Sequence, residues 1–224
     1  MEFLVISDIH GNLENLEKLN PMAKKADGII FAGDFTEFNN ETTGLPVLKV
    51  LCKMNENIFA VRGNCDYPSL EEEFEASDIS CERQLVMHEG LAFTGSHGGS
   101  KFTGTTPDER TEEELQSDFK IITDEGAQEW DNLVVVMHNP PKNTDCDKIP
   151  GDIHVGSELS TKFIEEYKPL AVITGHIHES AAICKIGNTT VINPGAVLEG
   201  KYALLTVSRK DGKWTVDSAE LKTL

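Results

Sequence analysis

The stretch FLVISDIHGNLENLEKLNPMAKKADGIIFAGDF, residues 3–35, decides the fold. It opens on an apolar run that reads as a buried strand over 3–7. A helical pattern follows from Asn12 to about Lys25, where Leu13, Leu16 and Leu19 recur at three-residue steps and line one face. GIIFA at 28–32 reads as a second buried strand, a helix is predicted over about 42–54, and NIFAV at 57–61 gives a third strand. This βαβαβ order predicts parallel strands joined by right-handed crossovers.

Working outward, each strand runs into a polar cluster. The first ends at Asp8-Ile9-His10, the second at Gly33-Asp34 and the third at Gly63-Asn64; NLVVVM ends at His138, and PLAVIT at Gly175-His176-Ile177-His178. In an open α/β sheet ligands gather outside the carboxyl ends of the strands. Two aspartates, four histidines and an asparagine are therefore expected at one place. Carboxylate and imidazole donors with one amide oxygen suit manganese, iron, nickel or zinc. Seven donors exceed the needs of one ion, whereas two ions roughly 3.5 to 4 Å apart, sharing one aspartate, use them all.

Each cluster alone has a plainer reading. Asp8 and His10 fit a capped turn that opens a helix, Asp34 fits a helix cap or turn, and His176 with His178 fits a polar turn. Gly63 is expected to supply a positive φ after its strand. The joint occurrence at successive strand ends selects the metal reading.

The ordered set DIH, GD, GNCD, H and GHIH resembles the calcineurin-like metallophosphoesterases, whose pattern runs D-x-H, G-D, G-N-H-[D/E], H, G-H-x-H. The likeness spans Asp8 to about Gly195, and HNPPKNTDCD, GHIHES and VINPG look like the small cytoplasmic phosphodiesterase-like branch. The resemblance implies one metal on Asp8, His10 and His178, a second on Asn64, His138 and His176, and Asp34 between them. It implies two packed mixed β-sheets flanked by helices, an αββα sandwich. The usual histidine after G-N is Cys65 here, which removes a phosphoryl-stabilising group or proton donor. A thiol beside cations has a lowered pKa, but Cys65 is expected neither to attack nor to ligate strongly.

Other residues keep two readings. Arg62 either approaches a phosphate or pairs with an acidic neighbour. Asp66 supports the Cys65 turn or orients a ligand from behind. His97 and His154, both glycine-flanked and on loops, are candidate replacement proton donors, with His154 favoured because its loop follows His138. His88 is assigned no role.

With 224 residues and no Pro/Gly/Ser-rich linker, a single domain over 1–224 is expected. Residues 98–131 form an inserted excursion, a polar loop and an acidic helix opened by the Thr111/Glu114 capping signal, over or beside the site. A loop over 139–157 and a helix from Ser157 to about Tyr167 follow. Residues 85–95 read as a short hairpin with Glu89-Gly90 as its turn, short strands near 170–174, 181–186, 189–192, 202–207 and 213–219 complete the second part, and substrate choice is expected in the 98–131 excursion and the 139–157 loop. The formal net charge of −18 excludes an extended basic surface for nucleic acid, and a DNA nuclease ranks last. The five cysteines lack C-x-x-C spacing, no signal region precedes Asp8 and no membrane-length apolar run occurs. A cytoplasmic protein with no membrane or nucleic-acid partner is expected.

These readings converge on a phosphoesterase with two divalent ions, manganese first. It would act on a small phosphodiester by in-line attack of a hydroxide held between the ions. A phosphomonoesterase or nucleotide hydrolase is the alternative, and a non-catalytic interaction scaffold the alternative of another class. The oligomeric state, homodimer included, stays open.

Overall fold

In the computed structural model, which describes residues 1–102, 104–124 and 130–224, the opening run becomes strand β1 (Glu2–Ile6), its side chains alternating between two apolar layers. Phe3 and Val5 enter the layer between the sheets, while Leu4 and Ile6 pack beneath helices. Period-two alternation with both faces covered explains why the strand is apolar throughout.

After β1 come α1 (Leu13–Lys18), α2 (Asn20–Ala23), β2 (Gly28–Ala32), α3 (Gly44–Leu51) and β3 (Ile58–Val61). The one helix expected over 12–25 is two short ones, because Pro21 has no amide to continue the first and suits the first turn of the second. Next are α4 (Glu71–Ala76), β4 (Val86–His88), β5 (Leu91–Ser96), the two-residue strands β6 (Gly99–Ser100) and β7 (Glu109–Arg110), α5 (Glu112–Ser117), α6 (Lys120–Thr123) and β8 (Leu133–Met137). The remainder is β9 (Lys148–Ile149), β10 (Ile153–His154), α7 (Glu158–Tyr167), β11 (Ala171–Ile173), β12 (Ala182–Ile186), β13 (Thr189–Asn193), β14 (Lys201–Lys210) and β15 (Lys213–Thr223).

Two mixed sheets result, as the sequence implies. One has the order β15-β14-β1-β2-β3 and the other β12-β13-β11-β8-β5-β4. β1, β2 and β3 run parallel, as do β5, β8, β11 and β13, and hairpins add the antiparallel edges. Phe3, Ile30, Phe59, Phe93, Val134 and Ile173 fill the space between the sheets. α1 to α4 cover the outer face of the first sheet, and α6 and α7 cover that of the second, with α5 packed beside α7. The expected hairpin turn is present, with Glu89 at φ 49° and Gly90 at φ 89°.

The 98–131 excursion divides in two. Its loop lies beside Asn64, where Asp108 N donates to the Asn64 carbonyl at 3.1 Å. Its acidic helix does not cover the site but joins the outer layer, with Phe119 of the following turn stacked on Phe163. Residues 103 and 125–129 of this excursion lie outside the described residues. Among the described residues no helix is long and apolar enough to cross a membrane.

Candidate metal centre

The carboxyl ends of β1, β2, β3, β8 and β11 present the seven expected side chains to one another. Asp8, His10 and His178 form one cluster of donor atoms within 4.8 Å, and Asp8, Asp34 and His138 another. The two are joined through Asp34, whose Oδ2 stands 3.6 Å from His10 Nε2 and 3.4 Å from His138 Nε2. Asn64 Oδ1 is 2.9 Å from His138 Nε2, and the His176 ring meets that of His138 edge-on at 5.1 Å.

The local backbone is unusual where the donors sit. Asp8, His10, Asp34 and His176 have φ of 54°, 47°, 64° and 69°. Left-handed conformations of non-glycine residues cost energy and concentrate at functional sites, and Asp and His are among the residues that tolerate them best. Gly63, which the sequence suggests has a positive φ, is not in the left-handed region, whereas Gly33 is, at 96°. Gly63 serves close approach instead, since a Cβ there would come within 2.0 Å of Asp34 Oδ1. Gly175 likewise leaves room for Ser7, whose Oγ a Cβ would meet at 1.9 Å.

The donor set fits divalent cations. His10 Nδ1 pairs with the Thr36 carbonyl at 3.0 Å and His138 Nδ1 with that of Ala32 at 2.6 Å. Each Nδ1–H is thus committed to the backbone, which turns the Nε2 lone pair inward. His10 Nε2 and His178 Nε2 face each other at 3.2 Å, a separation that calls for a shared proton or cation.

Burial opposes ionisation of Asp8 and Asp34, yet the surrounding histidines hold both carboxyls below their usual range. Burial works against His10 and His138 too, but the aspartates prevail and lift them to about 9 and about 10. His176, desolvated and facing His138, drops to about 4. Without metal, protons on His10 and His138 thus balance the carboxylates, and a cation must displace them. Metal affinity should rise with pH through the neutral range, and calorimetry in buffers of different ionisation enthalpy should count protons released. Both folded pKa values lie above the ordinary histidine value near 6.5. Their stabilisation of the metal-free fold is therefore complete below pH about 6.5 and lost as pH rises through about 9 to 10. The Tm of stripped protein should fall across that window; an unchanged Tm and no proton release would refute this balance.

Asp66 lies directly behind the centre. Its Oδ2 accepts from the amides of Gly63 (2.8 Å), Asp34 (3.0 Å) and Phe35 (3.3 Å), and its Oδ1 from Thr36 (2.9 Å). Cys65 N donates to Asp34 Oδ1 at 2.8 Å. The Cys65 thiol is near His10 and Asp34, but burial and the Asp34 charge push its pKa up and keep it protonated.

The other candidates are used structurally. Arg62 turns away from the centre and pairs with Glu82 through Nε (3.2 Å) and Nη2 (2.9 Å), with Glu71 at 3.2 Å. His97, at the end of β5, has Nδ1 2.5 Å from Asp108. His154, expected as stand-in proton donor, is not brought to the centre. Its Nδ1 is bound to Asp147 at 2.7 Å, and the next residue, Val155, lines the cleft in its place. His88 packs its ring on Phe59.

Beside Asn64 and His176 opens a cleft of about 460 Å³. Asn139, adjacent to His138, lies on it and accepts from Ser100 N at 3.0 Å. Most of its wall comes from the 98–131 excursion and the 139–157 loop, the two segments in which the sequence leads one to expect substrate choice.

Comparison with known proteins agrees with this geometry. Residues 1–180 match the family profile described as calcineurin-like phosphoesterase. An uncharacterized protein of Methanocaldococcus jannaschii, MJ1162, is 34% identical over 204 residues, covering 87% of this chain and 88% of its own. A dimetal phosphatase from Danio rerio has a similar fold at 12% identity, TM-score 0.64, covering 100% of this chain and 98% of that one. A structure described as a novel archaeal phosphodiesterase is similar at 19% identity, TM-score 0.53, covering 100% of both chains.

Proposed function

Because the chain belongs to the calcineurin-like phosphoesterase family, and so is a metal-dependent phosphoric ester hydrolase, we propose that it cleaves a small phosphodiester at a centre of two divalent ions. Asp8, His10 and His178 hold one ion and Asn64, His138 and His176 the other, with Asp34 shared. The observation that carries this reading is the position of Asp34 Oδ2 between His10 and His138, at 3.6 and 3.4 Å. The description of the zebrafish neighbour as a dimetal phosphatase supports the count of two. Nitrogen and oxygen donors with a protonated Cys65 favour manganese over softer ions.

When bound, the ions supply positive charge and a water of lowered pKa. The chain fixes where they sit: His10 and His138 are oriented through Nδ1, and Asp8 is held by the amide of His176 at 3.1 to 3.3 Å. Lys101 is the only lysine or arginine among the described residues lining the cleft, which also carries Glu109 and Glu179. Such a wall suits the single charge of a diester better than the double charge of a monoester.

Among the described residues lining the cleft, no histidine outside the proposed ligand set replaces the one absent at Cys65, so the leaving group is expected to depart with little help. General acid assistance contributes ~10²–10⁴-fold where present. With manganese, bis-p-nitrophenyl phosphate should be hydrolysed, and rates should fall by about 10² or more when nitrophenolate is replaced by a simple alkoxide. Metal analysis should find two ions per chain. Weakly held, substoichiometric metal with no turnover would favour the interaction scaffold.

A further inference from the structure

The chain has ten phenylalanines. All but two are at most 4% exposed; Phe38 is 52% and Phe102 91% exposed. Both exposed rings line the same cleft, the one that contains Asn64 and His176. They reach it from different elements, Phe38 from the segment after β2 and Phe102 from the segment after β6. Ile149, Val155 and Ile177 line the same cleft and add apolar surface to it. Leaving large apolar area in water is unfavourable by ~25 cal/mol per Å², so two exposed rings on one small cleft are better explained by a ligand than by folding.

Phe102 is also held in place. The Glu109 carboxylate accepts from the amides of Phe102 (2.9 Å), Gly104 (2.8 Å), Thr105 (3.0 Å) and Thr106 (3.3 Å). These bonds, the Phe102 amide foremost, hold its pKa down to about 2. An exposed carboxylate that gathers four backbone amides organises the segment without contributing to the apolar core.

We propose that Phe38 and Phe102 form an aromatic subsite, positioned by Glu109, that binds a planar ring carried by the phosphodiester. This rests on the phosphodiesterase reading above and specifies the organic group of its substrate. A nucleoside or an aryl ester provides such a ring. The cleft volume is in the range of small-molecule sites, and ring stacking at such a site is worth about tenfold in affinity.

The test uses manganese-loaded full-length protein and three singly charged methylphosphonate esters that differ in one group: ethyl, phenyl and thymidine-5′. Inhibition constants are measured against bis-p-nitrophenyl phosphate, and direct binding by equilibrium dialysis. Both ring-bearing esters should bind at least about tenfold more tightly than the ethyl ester. The phenyl/thymidine ratio separates a general ring site from one that also reads the nucleoside. Phe38→Leu and Phe102→Leu should each reduce the ring preference at least threefold, and the double variant should abolish it, raising KM more than it lowers kcat. Glu109→Gln should reduce the preference with metal content retained. Equal binding of the ethyl and phenyl esters, or an undiminished preference in the double variant, overturns the subsite. Absence of turnover would instead strike the hydrolase reading, since the dialysis comparison needs no catalysis.

Discussion

Replacing Asp34 by asparagine should reduce phosphodiester hydrolysis by roughly 10³-fold or more, about 4 kcal/mol in the barrier, and lower the bound metal from two ions to one or fewer. The two oxygens of this carboxylate have different jobs. Oδ1 accepts from Cys65 N at 2.8 Å, a bond that an amide oxygen reproduces. Oδ2 faces His10 and His138 at 3.6 and 3.4 Å, where an amide NH₂ would present protons to the ring nitrogens and remove the negative charge. The fold should thus survive while the centre fails, with an unchanged circular dichroism spectrum and metal loss by elemental analysis. On the proposed assignment the lost group is a ligand, so excess manganese should not restore the variant's activity. A variant within tenfold of wild type that retains both ions would remove Asp34 from the shared position.

The parts legible in the sequence were those written as unbroken apolar runs. β1, β2, β3, β8 and β11 are buried on both faces, so each reads as a strand without context, and the first polar residue after it is placed at the carboxyl edge by the parallel topology. Elements lacking such runs were legible where a capping signal marks them, as at Thr111 and Glu114, and otherwise were missed or cut short. α4 is EEEFEA, with Phe74 its only buried residue and no periodicity to detect. β14 and β15 continue to Lys210 and Thr223, well past the expected ends near 207 and 219, because their distal parts are exposed and polar.

Within the site, the pattern identified which residues meet but not what holds them. Arg62 immediately follows β3 and keeps both its readings, phosphate contact or acidic partner, until Glu82, twenty positions away, is seen to take its guanidinium. His154 sits on the loop after His138, but Asp147 claims its ring. In both cases the competing partner is a carboxylate brought in by tertiary folding, and no local spacing encodes it. The same holds for Glu109, whose four amide partners lie within seven residues yet form no sequence motif.

Asp66, which the sequence already suggests as a support behind the ligands, is the exception, and removing its carboxylate should separate holding a metal from holding its ligands. Asp66→Ala strands four buried amides, those of Gly63, Asp34, Phe35 and Thr36. An unsatisfied buried donor costs about 1–3 kcal/mol; with partial relaxation the total should be ~3–5 kcal/mol, read as a large fall in the denaturant midpoint. The bonds it supplies also restrain Gly33 and Asp34 in their left-handed conformations, so their loss lets the loop relax and moves the Asp34 carboxylate. Losing such an outer partner typically weakens metal affinity 10–100-fold. Since every ligand atom remains, excess manganese should restore much of the activity to whatever fraction stays folded, unlike Asp34→Asn. Asp66→Asn, which keeps one acceptor oxygen, should fall between alanine and wild type in both stability and affinity. Two buried carboxylates, one reaching the ring nitrogens and one holding the backbone amides behind them, thus make opposite predictions for a single metal titration. If excess metal rescues neither variant, Asp66 itself must contact an ion, and the division of roles drawn from its four amide bonds is wrong.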